Sequence, residues 1–250
     1  MFHPQGPTFR ELAVQALSST QRGYDLLAPK FDYTPFRTPQ GLLDAVGEQL
    51  DALGPFDAGL DLCCGTGAAM MVIRRHCRHR VVGIDFSRGM LDEARRLTAP
   101  LTLPSPLPRG EGPEASLEFV LGDVLSLPFA AEFDLAVCFG AFGHILPQDE
   151  PRFVAEIARV LRPGGRFVFI TMHMPSWWSP QRWMSWLFNA AMRLRNVLVK
   201  PPFIMYYLTF LLPEAATLLR RHGFEVEVRD LKFPGMWSAA RLVIATREIH

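Results

Sequence analysis

Three carboxylates in this sequence each close a short apolar run: Asp61 in GLDLCCGTG, Asp85 in VVGIDFSRGML and Asp123 in GDVLSLPF. Ligands of open α/β sheets bind at the carboxyl ends of the strands, so acids on three successive strand ends would face one ligand. Asp85 lies about twenty residues beyond the glycines, where a carboxylate can accept from both ribose hydroxyls. Asp123 is placed to accept from an exocyclic amine, with Val124 beside it and Gly122 before it. Asp61 stands just ahead of a Gly65-Thr66-Gly67 turn through which a ligand can approach the backbone. An acid at that place repels a pyrophosphate and attracts a cation.

The spacing of the glycines points the same way. A dinucleotide turn takes a third glycine where this chain has Met70, and no Gly-Lys-Ser/Thr of a phosphate-binding loop follows. The expected ligand is cationic and carries no phosphate, which is the character of S-adenosylmethionine with its sulfonium and ammonium. Two histidines also fall past strand ends, His144 in FGAFGHI and His173 in TMHMP. Both belong at the ligand edge, where either could take a proton from an oxygen acceptor; each also reads as an ordinary structural histidine. Cys63, Cys64, Cys77 and Cys138 show neither zinc-site pairs nor a spaced disulfide set, so they are expected reduced and buried, without chemistry.

Such a site needs a frame of alternating strands and helices. Strands are expected at 58–63, 80–86, 117–122, 133–139, 166–172, 224–231 and 241–247, and helices at 68–77, 87–97, 150–161 and 213–222. Ser87 is the natural N-cap of the second helix. The last two strands alternate polar and apolar residues and read as an antiparallel pair. Thr38-Pro39 should cap a covering helix carrying Leu42, Leu43, Val46, Leu50 and Leu53. The aromatic stretch YDLLAPKFDYTPFR ahead of it is expected as an ordered loop, and residues 99–116, rich in proline, as a surface insertion.

Taken together, LDLCCGTG, VVGIDFSRGMLDEAR, GDVLSLPF, FDLAVCFGAFGHI and LRPGGRFVF resemble the class I S-adenosylmethionine-dependent methyltransferases over roughly residues 57–172, in particular the quinone- and sterol-type small-molecule branch. The resemblance implies an α/β, Rossmann-like fold with a seven-stranded, mostly parallel sheet of order 3-2-1-4-5-7-6, its last strand antiparallel and helices on both faces. It implies that Asp61, Gly65 and Gly67 bind the methionine part of S-adenosylmethionine, Asp85 the ribose, and Asp123 with Val124 the adenine, with Cys63, Thr66, Phe86, Met90 and Gly122 also in the cofactor site. Phe139 and Gly140 would line the cofactor and face the acceptor. The N-terminal residues 1–54 would form a helical lid, with Tyr24 and Tyr33 or Phe36 near the cofactor. Where the family turn begins with glycine, this chain has Cys63.

Methyl transfer is an in-line displacement that needs positioning and exclusion of water, and no metal. A net charge of +1 over 250 residues gives no field for a polyanion, and the Asn/Asp-Pro-Pro-aromatic signature of base-modifying enzymes is missing from the fourth strand end; KPPF at 200–203 lies on another loop. The partner expected is a small acceptor, hydrophobic or aromatic and lipid-like, with no nucleic acid. The start of the chain carries no basic segment followed by an apolar one, so a cytoplasmic protein is expected. Residues 173–212 form an aromatic-rich insertion whose helix carries a narrow polar stripe, Arg182, Ser185, Asn189, Arg193, Asn196 and Lys200, against Trp183, Trp186, Leu187, Ala190, Leu194 and Val197. It suits either a buried lid over the acceptor or a segment, 178–212, lying peripherally on the inner membrane surface. The alternatives to a small-molecule enzyme are a non-catalytic cofactor-binding module and a membrane-associated lipid methyltransferase.

Overall fold

The computed structural model describes residues 3–99, 115–231, 233 and 237–249. The Pro-rich insertion expected at 99–116 falls outside these residues except at 99, 115 and 116. Seven strands, β1 (Phe56–Leu62), β2 (Cys77–Asp85), β3 (Ser116–Leu121), β4 (Phe133–Cys138), β5 (Leu161–Thr171), β6 (Phe224–Asp230) and β7 (Arg241–Arg247), build one sheet in the order β3-β2-β1-β4-β5-β7-β6. The first five pair in parallel, and β7 runs antiparallel to both β5 and β6, as expected. Leu60, Leu62, Val81, Val82, Ile84, Leu135, Phe167 and Val168 are at most 1% exposed, because helices cover both faces of these strands. Burying each such side chain stabilises the sheet by about 1.5–3 kcal/mol.

Two expected boundaries shift for local reasons. The helix expected over 68–77 is α4 (Ala68–Ile73) plus a 3-10 turn at Arg74–His76, since Cys77 already opens β2. Its thiol fills the space beside Gly59, where a Cβ would sit only 2.8 Å from Cys77 Sγ. β5 begins at Leu161 rather than Arg166, because Leu161 already pairs with Phe133 before an irregularity in the register. The covering helix α3 (Gln40–Asp51) buries Leu42, Leu43, Val46 and Leu50; it starts after Pro39 without a side-chain cap, so Thr38 does not cap it.

The stretch expected as an ordered loop is largely helical. Upstream of it α1 (Phe9–Leu17) opens with a reciprocal Thr8–Glu11 capping box; within it Tyr24 to Leu27 belong to α2 (Thr20–Leu27), capped by Ser19. A 3-10 helix, Ala28–Tyr33, follows. Pro29 is tolerated because the first turn of such a helix leaves its N–H positions without intrahelical partners. Leu27 and Ala28, buried at 4 and 2% exposure, anchor the segment.

This arm grips the start of α5 (Arg88–Thr98). Ser87 caps α5 through the Met90 amide and also donates to Asp25 Oδ1 at 2.7 Å, which in turn accepts from Gly89 N at 2.9 Å. A Cβ on Gly89 would lie 2.7 Å from the Asp25 carbonyl oxygen, against backbone that cannot yield. Gly89→Ala gains about 1 kcal/mol of helix propensity. It loses charge-assisted bonds at about 1.5–3 kcal/mol each. The expected net loss is about 2 kcal/mol, a drop in Tm of about 4–8 °C for a chain this long, read by thermal unfolding.

α6 (Glu150–Val160) leads into β5, beyond which the chain forms α7 (Pro180–Leu198) and then α8 (Glu214–Arg221). The helix of the aromatic-rich insertion, α7, has no buried residue. Part of its polar stripe binds the protein. Asn189 accepts from the Tyr207 amide at 2.8 Å and donates to the Tyr207 carbonyl at 2.9 Å, and Asn196 pairs in the same way with Phe203 at 2.8 and 3.0 Å. Arg195 donates to the Ala16 and Ser18 carbonyls at 2.8 Å each, tying α7 to the turn between α1 and α2. Trp183, Met184, Trp186, Leu187, Leu194, Val197 and Leu198 point outward, 53–74% exposed.

Candidate active site

At the carboxyl ends of β1, β2 and β4 lies a cavity of about 470 Å³, within the range of small-molecule sites. The loop leaving β1 forms its floor. Cys63, Gly65 and Gly67 take φ values of +55°, +53° and +84°, so three of five consecutive residues are left-handed. Glycine does this freely; Cys63 does it at a cost of about 1–2 kcal/mol. The loop thereby turns sharply into α4, and partly exposed Cys63 faces the cavity instead of lying buried as expected.

Asp61 is 2% exposed, yet its Oδ2 has no hydrogen-bond partner. Its carboxylate takes the Met70 amide, while burial first and the nearby Asp85 second hold its pKa well above the usual carboxylate range. A buried oxygen left unpaired costs about 1–3 kcal/mol, so this carboxylate is arranged for a donor from outside the chain. Asp85 is better satisfied: Oδ2 accepts from Gly65 N at 2.9 Å and Oδ1 from Ser87 N at 2.8 Å. Burial raises its pKa, against the pull of those amides. Each oxygen keeps a lone pair for a hydroxyl.

Met70 is fully buried, and its Sδ occupies the space beside Gly83 on β2. The packing glycine missing from the turn is thus supplied by the neighbouring strand. Thr66 donates to Asp32 Oδ1 at 2.6 Å and Gln21 to the Phe86 carbonyl at 2.9 Å, closing the N-terminal arm over the loop.

Tyr24 and His144 meet on one wall. His144 Nδ1 lies 2.6 Å from the Ile204 carbonyl, which can only accept, so Nδ1 carries the proton. Nε2 is then the acceptor of the Tyr24 hydroxyl at 2.8 Å. Burial lowers the His144 pKa, opposed by the Ile204 bond, and burial followed by the charge of Asp85 raises that of Tyr24. Both groups are therefore neutral at physiological pH.

Of the residues expected at the site, Tyr24, Asp61, Cys63, Gly65, Thr66, Asp85, Phe86, Met90, Phe139, Gly140 and His144 line this cavity, as does Phe36. The cavity lining does not include Gly67, Gly122, Asp123, Val124, Tyr33 or His173. Gly67 sits at the N-terminus of α4, Val124 is core, and Asp123 folds back onto the Leu125 amide at 2.9 Å. Tyr33 stacks on His3, and His173 is exposed with its backbone bridged to Leu212. Sequence reasoning missed Arg37, Met172, Gln181, Met205, Tyr207 and Trp237, which also line the cavity. Arg37, Gln181, Met205 and Tyr207 lie in stretches singled out as lid elements; nothing in the sequence pointed to Trp237.

Residues 60–169 match the Methyltransferase domain family. A demethylmenaquinone methyltransferase of Deinococcus radiodurans is 32% identical over 197 residues, 71% of this chain and 73% of that protein. The chain belongs to the class I S-adenosylmethionine-dependent methyltransferases. Among its quinone-branch relatives, a 2-phytyl-1,4-naphtoquinone methyltransferase of Nostoc punctiforme is 32% identical over 123 residues, 48% of either chain. The chain therefore aligns with only about half the length of that relative. A solved S-adenosylmethionine-dependent methyltransferase of Methanosarcina mazei shares the methyltransferase's fold, with a TM-score of 0.60 at 20% identity over 80% of this chain and 96% of the other. The cofactor of this methyltransferase is S-adenosylmethionine. The unpartnered Oδ2 of Asp61 beside a left-handed, glycine-bearing loop fits a cofactor that brings an ammonium donor and no phosphate.

Proposed function

We propose that this methyltransferase methylates a small apolar ring of the quinol type, with Tyr24 and His144 handling the acceptor's proton. The observation that carries this reading is the placement, in one largely apolar cavity, of the unpartnered Asp61 oxygen and of a neutral His144 hydrogen-bonded to Tyr24. The names of the quinone-branch relatives add the acceptor class.

When bound, S-adenosylmethionine supplies an electrophilic methyl on its sulfonium. In this reading Asp61 holds the ammonium, Asp85 the ribose hydroxyls, and Phe86 and Met90 the face beside them. Gly67, Gly122, Asp123 and Val124 are assigned to the cofactor by resemblance alone. Phe139, Met172, Met205 and Tyr207 wall the acceptor and exclude water, which strengthens every electrostatic contact inside. The Tyr24 hydroxyl takes the acceptor's proton as its own passes to His144 Nε2, leaving an oxyanion that makes the adjacent ring carbon nucleophilic; once that carbon carries the methyl, the proton it loses returns the oxygen to a hydroxyl. The base role falls to His144 because His173 lies off the cavity.

Methyl-labelled S-adenosylmethionine, mixed with a reduced demethylnaphthoquinol bearing a short side chain, tests the reading. Expected is stoichiometric release of S-adenosylhomocysteine with the label on the ring. Tight cofactor binding with no turnover on quinols or simple phenols overturns it.

A further inference from the structure

We infer that the outward face of α7 docks this methyltransferase onto an anionic lipid surface. The face combines features that separate a membrane from other occupants. It is apolar along the whole helix: Trp183, Met184, Trp186, Leu187, Leu194, Val197 and Leu198 lie on one stripe, preceded by Trp178 at 93% exposure and Trp177 at 57%. Leaving this much large apolar surface exposed at helical spacing is unusual for a monomer. Val14 and Leu17 of α1, 47 and 59% exposed, lie on the neighbouring element that Arg195 ties to α7.

Charge selects the partner. Between Glu156 and Glu214 the chain has no carboxylate, while α7 and its end carry Arg182, Arg193, Arg195 and Lys200. Arg182 stacks over the Trp177 ring at 3.8 Å, and Arg193 lies 5.9 Å from the Tyr206 ring, so guanidiniums and aromatic rings meet beside the apolar stripe. Cations beside tryptophans around an aliphatic stripe are the composition of a helix lying in a headgroup layer. Among the described residues no helix is long and apolar enough to cross a membrane, so docking would be peripheral.

The polar residues of α7 explain how the face is kept outward. Asn189 and Asn196, seven residues apart, spend their amides on Tyr207 and Phe203, so the helix cannot roll its apolar side inward without breaking four hydrogen bonds. That same segment lines the cavity through Met205 and Tyr207. Docking would place the cavity's wall next to the lipid, where an acceptor with an apolar tail resides. The use of the surface thus rests on the proposed acceptor, but the binding itself does not.

The test is sedimentation of the full chain with vesicles of phosphatidylcholine alone and of an equal mixture with phosphatidylglycerol, without cofactor or acceptor. Expected is strong binding to the mixture only, weakened by salt, with a blue shift of tryptophan emission. Leu187→Glu with Leu194→Glu should lower binding by about thirtyfold or more, from the apolar area lost. Arg193→Gln and Lys200→Gln should each lower it by about fivefold. These charge variants touch no core packing and keep the test decisive if the glutamates unfold the chain. Absence of binding, equal binding to both vesicles, or a dimer in solution that the glutamates dissolve each overturns the inference. None of these outcomes bears on turnover of a soluble short-chain quinol, so the two readings fail separately.

Discussion

Replacing Asp61 by asparagine is expected to weaken S-adenosylmethionine binding by about a hundredfold or more while raising the melting temperature of the ligand-free protein. The two effects come from one cause. The carboxylate is buried with Oδ2 unpartnered by the chain, an arrangement that a bound cation stabilises. Truncating one partner of a buried charge pair costs about 2–5 kcal/mol of binding, and each 1.4 kcal/mol is a factor of about ten. Without ligand the same charge is a burden on the fold. The sign follows from linkage: the folded pKa is raised above the unfolded value, so this group's stabilisation is fully present at acid pH and fades as pH rises through the unfolded pKa toward the folded one. The asparagine variant lacks that decline, so its advantage in Tm should be small in acid and grow toward neutrality. Titration calorimetry and melting curves across pH read both halves. Unchanged affinity would remove Asp61 from the cofactor site.

His144→Gln is expected to lower kcat by about 10²–10⁴, the usual worth of a positioned base, with the cofactor Kd nearly unchanged. Glutamine keeps a donor for Ile204 but cannot take a proton. Burial lowers the His144 pKa, so the acid limb of kcat/KM should sit below the ordinary histidine value and vanish in the variant. The same depression means that this residue's stabilisation is present above the unfolded pKa and is lost as pH falls through the window down to the folded one. Tyr24→Phe should give a loss of similar order, and the double variant little more than either single one, since the two act as a relay. Additive losses, or an acid limb that survives in His144→Gln, would leave the pair a structural contact only.

The sheet and the carboxylates on its edge were legible because each parallel strand is a short apolar run closed by punctuation, and Asp61 and Asp85 stand at the last or next-to-last place of their runs. Position alone did not say what a side chain does once there. Asp123 follows the expected strand end, but its carboxylate accepts from its own Leu125 amide and does not line the cavity. The N-terminal arm was misread because Ala28-Pro29 looks like a break, whereas the fold uses that proline inside a 3-10 turn. The orientation of α7 was equally hidden. A polar stripe is by default a solvated face, and nothing local signals that Asn189 and Asn196 find backbone partners 18 and 7 residues onward. Trp237 reaches the cavity from the far end of the chain, beyond the range of any spacing rule.

The exchange of bulk between Met70 and Gly83 reaches beyond packing. The thioether fills what the bare strand position leaves open, so neither residue can drift alone. A smaller residue at 70 opens a cavity worth about 2–5 kcal/mol, and any side chain at 83 drives into sulfur. Descendants of this sequence can move toward the glycine-rich turn of a dinucleotide enzyme only by changing both positions at once or by passing through a weakened ancestor. Helix α4 and strand β2 are thus locked together beneath the binding loop by two residues that can change without loss only as a pair.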